Sequence, residues 1–228
     1  MTCNVKLLSY SQVDPTWNPR EYMDMQELVA YCARVSNPSN QNNKETSEKL
    51  LKYLINNKHW SPLEMANIVL EIETTRDIAR QILRHRSFSF QEFSQRYADP
   101  TKDLEFVVRE ARLQDPKNRQ NSIDVEDDAL NKEWAAKQYE IQDASMAAYK
   151  WAIDKGIAKE QARVVLPEGL MMSRLYVNGT VRSWIHYVEL RSDNGTQKEH
   201  IEIARCVARV ISDIFPLIKE FDNTRRDK

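Results

Sequence analysis

Arg84-His85-Arg86 and Ser94-Gln95-Arg96 bracket one short connection, so two guanidinium groups, a serine hydroxyl and the loop's backbone amides can converge on a single phosphate. Arginine suits that task because its planar fork contacts an anion bidentately and stays charged. Arg76 and Arg80 lie just upstream, which makes the segment a local concentration of positive charge. On residue types alone, a plainer reading competes: a helix end whose arginines are solvated or paired with Glu92. Other chemistries have less support. Gly156, Gly169, Gly179 and Gly195 are too scattered for a dinucleotide fingerprint or a phosphate-cradling P-loop. No Gly-x-Ser-x-Gly elbow occurs, and Cys3, Cys32 and Cys206 have no flanking motif, Cys-x-x-Cys pair or histidine spacing. Neither a disulfide framework nor a metal site is expected, and an arginine-based anion site remains.

The elements that must position these residues can be read from apolar periodicity. Val5 to Tyr10 reads as a strand, Glu21 to Ser36 as a helix with Met25, Leu28, Val29 and Cys32 on one side, and Asn37 to Lys44 as a loop. A second helix spans Ser47 to about Asn57, with Ser47 as its N-cap and His59-Trp60-Ser61-Pro62 ending it. From Ala66 to Thr74 the period becomes two, Ile68, Leu70 and Ile72 facing one way, as in a half-buried strand. The helical period returns at Arg76, where Ile78, Ala79, Ile82 and Leu83 form a stripe and Gln81, Arg84 and His85 fall opposite. The polar run Gln114 to Asp128 reads as a surface insertion. A long helix to Lys155 carries Leu130, Trp134, Ile141, Ala148 and Ala152 along a stripe, with Gly156 ending it. A short helix through Arg163 stops at Pro167; Leu170 to Val177 is a strand, Asn178-Gly179 a turn, and Thr180 to Leu190 a helix burying Val181, Trp184, Ile185 and Val188. The last helix opens on Thr196 and Glu199, spaced as a capping box, and buries Ala204, Val207, Ala208, Ile211 and Phe215. Trp184 and Met171-Met172 read as core, His200 as a surface residue, and Thr224 to Lys228 as a frayed tail. Helices with a few separated strands indicate an α+β fold.

The 228 residues, 41% of them hydrophobic, can bury a substantial core in one domain. Acidic and basic residues, 34 against 33, leave a net charge of -1, so no overall field draws the chain to nucleic acid. The N-terminus lacks a basic region followed by a long apolar run, and no stretch approaches the ~20 apolar residues of a membrane span. Cysteine usage fits a reducing cytoplasm.

Taken together, Arg84-His85-Arg86, Ser94 after seven intervening residues, and Arg96 resemble the motif Arg-His-Arg-x7-Ser-x-Arg of the flavin-dependent thymidylate synthases. His59-Trp60-Ser61-Pro62-Leu63-Glu64 resembles that family's His-x-Ser/Thr-Pro-x-Glu segment, and Ala79-Arg80-Gln81, Ala162 to Pro167 and Leu190-Arg191-Ser192 follow in order. The resemblance runs from about Arg34 to Phe215. Three departures stand out: Gln91 replaces the usual Asn, Asn194-Gly195 stands where a His often follows the matching arginine, and the stretch from Gln114 to Glu133 is longer and more polar than usual.

The resemblance implies one domain over 1–228, with helices packed around a small, mainly antiparallel sheet and a polar insertion at about 114–128. It implies a methyltransferase that makes thymidylate (dTMP) from deoxyuridylate (dUMP), with methylenetetrahydrofolate as carbon donor, NADPH as reductant and FAD as hydride source, and without a cysteine nucleophile. Gln81, Arg84, Glu92, Ser94, Gln95, Arg96, Arg163 and Arg191 would hold deoxyuridylate, with Arg191 catalytic through the charge developing on the uracil ring. His59, Ser61, Arg84, His85, Arg86, Glu92, Thr180 and His186 would contact FAD. One motif can serve both ligands because family sites lie between subunits of a homotetramer.

Each residue also has a plainer reading. His59 and His85 can be hydrogen-bonded helix-end histidines, and Arg163 and Arg191 can pair with acidic neighbours, for Arg191 Glu189 or Asp193. Two other functions use the same residues: a nucleotide- or phosphate-binding regulator without catalysis, and an RNA-binding module stacking bases on Phe88, Phe90, Phe93 and Tyr97.

Overall fold

The computed structural model describes residues 4–17 and 23–223. Cys3, the start of the first helix at Glu21 and the tail from Thr224 lie outside the described residues.

The centre is an antiparallel sheet in the order β1 (Val5–Tyr10), β2 (Asn67–Thr75), β6 (Met172–Thr180), β3 (Ser89–Glu92). Alternation in β2 does what a period of two requires: Ile68, Leu70 and Ile72 are fully buried while Asn67, Val69, Glu71 and Glu73 are more accessible. Their face is covered by α1 (Met25–Ala33), α2 (Ser47–Asn56), α7 (Val181–Arg191) and α8 (Lys198–Ile211), which share one hydrophobic core with it. The α+β expectation holds, and the small sheet is antiparallel throughout.

Two strand details differ from expectation, both at the site. The Ser/Phe/Gln segment after Arg86 contains β3, paired with β6 from Ser89↔Asn178 to Glu92↔Leu175. Asn178-Gly179 is no turn: both residues lie within β6, opposite Val69 and Ile68. Gly179 is required there by close approach, because a Cβ would meet the Phe88 ring carbons at 2.3 Å. An Asn-Gly pair signals a turn only where φ is positive, and a glycine under an aromatic ring looks identical in sequence.

Caps also differ. Asp24 closes a capping box with Glu27 on α1. Ser47 is the first residue of α2 rather than its cap, which is Thr46. On α8 the N-cap is Gln197 with no side-chain cap bond, so the expected Thr196/Glu199 box does not form. Glu199 is instead drawn inward by Arg112.

Past the one-turn helix α4 (Pro100–Asp103), the polar run from Arg112 forms a hairpin of β4 (Arg112–Gln114) and β5 (Ser122–Asp124). The long helix α5 (Asp128–Asp154) ends at Gly156 in the left-handed region, φ 76°, as expected. Its buried face is Gln138, Ser145, Tyr149 and Ala152, while Trp134 and Ile141 are about half exposed, 46% and 55%. The expected stripe is therefore largely outward: α5 leans on the short helix α6 (Lys159–Ala162) and the turn at Arg163–Val165. Gln138 is buried because its amide pairs with both backbone groups of Arg109, at 2.9 and 2.8 Å. Among the described residues no helix is long and apolar enough to cross a membrane.

Candidate functional site

The first group of site residues gathers at the end of α3 (Arg76–Ile82). Burial of Ile78, Ala79 and Ile82 turns Gln81, Arg84 and His85 to the other side of the chain. Across from them α7 presents Tyr187 and Arg191, one turn apart. Arg191 Nε donates to His85 Nε2 at 2.9 Å, and the Tyr187 ring stands edge-on to the His85 imidazole at 5.1 Å. Burial, and then the charges of Arg191 and Arg84, lower the His85 pKa to about 4. His85 is thus a neutral acceptor at neutral pH, with its proton on Nδ1. Burial lowers the pKa of Arg191 as well, and Arg84 adds to the effect. The plainer reading, pairing with Glu189 or Asp193, is not what the structure shows: the recorded partner of Arg191 is His85.

Gln81 continues this group inward. Its Oε1 lies 3.2 Å from His200 Nδ1, and its Nε2 donates to Gln197 Oε1 at 3.0 Å. His200 is fully buried, with Nε2 3.1 Å from the Tyr187 hydroxyl, so its expected surface position is wrong. An isolated His on the first turn of an amphipathic helix reads as solvated; the partners that bury it lie on α3 and α7.

The second group surrounds Glu92, at the end of β3. Arg76, itself buried, approaches Glu92 at 3.4 Å and Glu168 at 3.5 Å, Arg80 approaches the same two carboxylates at 3.8 and 3.5 Å, and Ser173 donates to Glu92 at 3.0 Å. Burial pulls the Arg76 pKa down, with Glu92 opposing it. Beyond β3 the chain folds over Ser94 and docks on α6: Lys159 Nζ donates to the Tyr97 carbonyl at 2.9 Å, and Arg96 pairs with Glu160 at 3.3 Å. Arg163 Nε bonds the Glu160 carbonyl at 3.3 Å, so Arg96 and Arg163 flank one residue. Gln95 is buried, and its Nε2 has no partner.

A third group joins the segment after α2 to α7. Trp60 stacks obliquely on His186 at 4.4 Å, Arg182 lies over the Trp60 ring at 6.0 Å, and Arg182 pairs with Glu64. His59 and Ser61 are exposed beside Trp60. Burial and the charge of Arg182 lower the His186 pKa. Thr180 caps α7, its hydroxyl accepting from the Ser183 amide at 3.2 Å.

The site residues thus fall in three neighbourhoods: Gln81, His85 and Arg191, linked through Tyr187 and His200; Ser94, Arg96 and Arg163 around Glu160, with Glu92 just before them in β3; and His59, Ser61 and His186 about Trp60. Among the described residues, no hydrogen bond or ion pair links the named members of one group to those of another. Arg84 and Arg86 are exposed, and among the described residues neither side chain makes a hydrogen bond or ion pair. Sequence reasoning missed Tyr187, Gln197 and His200; only the helical spacing of Tyr187 to Arg191 pointed toward the site. Cys32 and Cys206 belong to none of the groups, and burial raises the Cys32 thiol. A cavity of about 860 Å³ opens between the β4–β5 hairpin and the start of α8, and it borders the first group only at Gln197.

The stacking surface an RNA-binding module needs is absent at its centre. Phe88 is buried between Trp184 and Tyr187, and Phe90 packs against the core.

Comparison with known proteins joins these observations. The model of the family described as "Thymidylate synthase complementing protein" matches residues 20–217. A probable flavin-dependent thymidylate synthase of Paramecium bursaria Chlorella virus 1 is 50% identical over 193 residues, 85% of this chain and 88% of that protein. The flavin-dependent thymidylate synthase of a Synechocystis species is 50% identical over 198 residues, 87% and 89% of the two chains. Among solved structures, a UMP/dUMP methylase, PolB, from Streptomyces cacaoi bound with 5-Br dUMP superposes with a TM-score of 0.76 at 23% identity, covering 96% of this chain and 94% of that one; this likeness concerns the fold. With a family model matched across most of its length and two relatives identical at half their aligned positions, the chain belongs to the flavin-dependent thymidylate synthase family.

Proposed function

We propose that the chain catalyses the reductive methylation of deoxyuridylate to thymidylate, taking its one-carbon unit from methylenetetrahydrofolate and its reducing equivalents from NADPH through FAD, in a reducing cytoplasm. One observation carries the reading: Arg191 is tied by Nε to the neutral His85 of the arginine motif, and no other hydrogen bond or ion pair of its guanidinium is recorded among the described residues. Its two terminal nitrogens are therefore available, in fixed orientation, to an anionic acceptor. A half-buried guanidinium so held stabilises charge developing on a uracil oxygen as the ring carbon becomes nucleophilic. Partial burial strengthens that interaction because little water competes for it.

The side chains fit a flavin dinucleotide. Arg84 and Arg86, either side of His85, are exposed cations without carboxylate partners among the described residues, suited to a diphosphate, and the buried Gln95 Nε2 lacks an acceptor. Trp60 and His186 form an aromatic wall beside Arg182. When bound, FAD supplies the hydride that completes the methyl group. His59, Ser61, Arg84, His85, Arg86, Glu92, Thr180 and His186 are assigned to contact it. Gln81, Arg84, Glu92, Ser94, Gln95, Arg96 and Arg163 are assigned to hold deoxyuridylate, the arginines mainly at its phosphate. The unlinked groups within one chain support a site completed between copies of a homotetramer.

The deciding experiment follows the oxidation of reduced flavin by purified protein with methylenetetrahydrofolate, with and without deoxyuridylate. Oxidation that requires deoxyuridylate and yields thymidylate is expected. Flavin-free protein that binds the nucleotide without turnover would support the regulatory reading instead.

A further inference from the structure

We propose that His200 is a positioning residue for nucleotide binding, helping to lock the carboxamide of Gln81 in one of its two orientations through a chain of hydrogen bonds in which donation runs from Tyr187 to the Glu199 carboxylate. The proposal rests on the assignment of Gln81 to deoxyuridylate.

The direction of the chain follows from which atoms can donate. Arg112, on β4, pairs with Glu199 at the start of α8. The Glu199 carboxylate accepts only, so the side chain of Gln197, 2.9 Å from its Oε2, must turn Nε2 toward it. Gln197 Oε1 then faces Gln81 and can only accept, so Gln81 must present Nε2, at 3.0 Å. That turns Gln81 Oε1 toward His200 Nδ1 at 3.2 Å, which must carry the imidazole proton. His200 Nε2, left as an acceptor, receives the Tyr187 hydroxyl at 3.1 Å. Reversing any amide would set two acceptors or two donors face to face.

The surroundings keep the chain in this state. His200 and Tyr187 are buried; desolvation, with Arg191, His85 and Arg84 nearby, lowers the His200 pKa to about 3, so the ring stays neutral. Burial also raises the Tyr187 phenol, keeping its proton available to donate. Burial by itself would raise the Glu199 carboxyl, but Arg112 and Gln197 overcome it and hold the group ionised. Gln81 is left with one unused N–H, in fixed orientation, one turn before Arg84. A residue that only filled space would leave Gln197 alone to hold the amide, which would then turn its oxygen toward the nucleotide more often.

The test compares four variants with the parent holoenzyme, reading thermal unfolding, NADPH-driven flavin reduction, and KM and kcat for deoxyuridylate. His200→Leu keeps the volume and removes both hydrogen bonds; KM should rise roughly tenfold with flavin reduction unchanged. His200→Gln restores a donor and an acceptor and should recover most of the loss. Tyr187→Phe frees the imidazole to change tautomer and should raise KM in the same direction, which keeps the proposal testable if His200→Leu fails to fold. Gln81→Leu separates the two levels. If it raises KM while folded His200→Leu and Tyr187→Phe do not, the positioning role is overturned and the nucleotide assignment stands. If Gln81→Leu itself leaves KM unchanged, the assignment of Gln81 falls and the positioning role with it.

Discussion

Arg191 can work on a pyrimidine only if its neighbour does not compete for charge, and the neutrality of His85 secures that. An imidazolium at 2.9 Å would repel the guanidinium; the neutral ring accepts from Nε and fixes its plane. Arg191→Ala should therefore abolish thymidylate formation while FAD remains largely bound, measured by turnover and by flavin absorbance after gel filtration; unchanged turnover would remove Arg191 from the chemistry. The same burial has a cost in acid. Burial lowers His85 to about 4 and His200 to about 3 in the fold against an ordinary histidine value of 6.5, so between these values the unfolded chain binds more protons and stability rises with pH. Their contribution is complete above about pH 6.5 and is lost progressively as pH falls below it. The unfolding midpoint should drop between about pH 7 and pH 5, and less steeply in His200→Leu, which removes one of the two titrating groups. At this scale the charged residues stood out in the sequence, because Arg84, His85 and Arg96 sit in one spaced motif and Arg191 in a separate matching segment. Tyr187 and His200 were not: each reads as an ordinary helical residue until three elements converge on it.

The elements were legible where one physical signal dominated. The period of two across β2 and the apolar stripe of α3 both survive in the fold, because each face has a single environment. Misreadings came where one residue type serves two purposes. Gly179 read as a turn residue but lies in β6, its bare Cα accommodating Phe88. Phe88 in turn touches His85, Phe90, Trp184 and Tyr187, so the ring that Gly179 admits supports the backbone that carries the arginine motif. Gly179→Ala should cost about 1–3 kcal/mol, because the ring must leave a packed position. Denaturant unfolding checks the loss, and flavin affinity should fall with it, since the displaced ring adjoins His85. A variant with parental stability would show that Phe88 has room to give way, and the close approach would then explain nothing about the choice of glycine.

At the scale of the molecule, the proposed homotetramer would account for both the outward face of α5 and the separation of the site groups. Trp134, Tyr139, Ile141 and Trp151 lie exposed along one helix, an unusual amount of apolar surface to leave open to water. The apolar stripe read along α5 from sequence is largely exposed in the chain, because a periodic apolar pattern does not say which surface, if any, covers it. If Gln81, His85 and Arg191 of one copy meet Glu92, Ser94, Arg96 and Arg163 of another, defects in the two groups should complement. Arg191→Ala and Arg96→Ala chains, each inactive or nearly so, are unfolded together, mixed in equal amounts and refolded. Random pairing leaves about a quarter of the sites with both halves intact, so turnover should recover toward that fraction. Each variant refolded alone controls for spontaneous gain. A site built within one chain recovers nothing on mixing, because every chain carries one defect, and that outcome would return these two groups to a single copy.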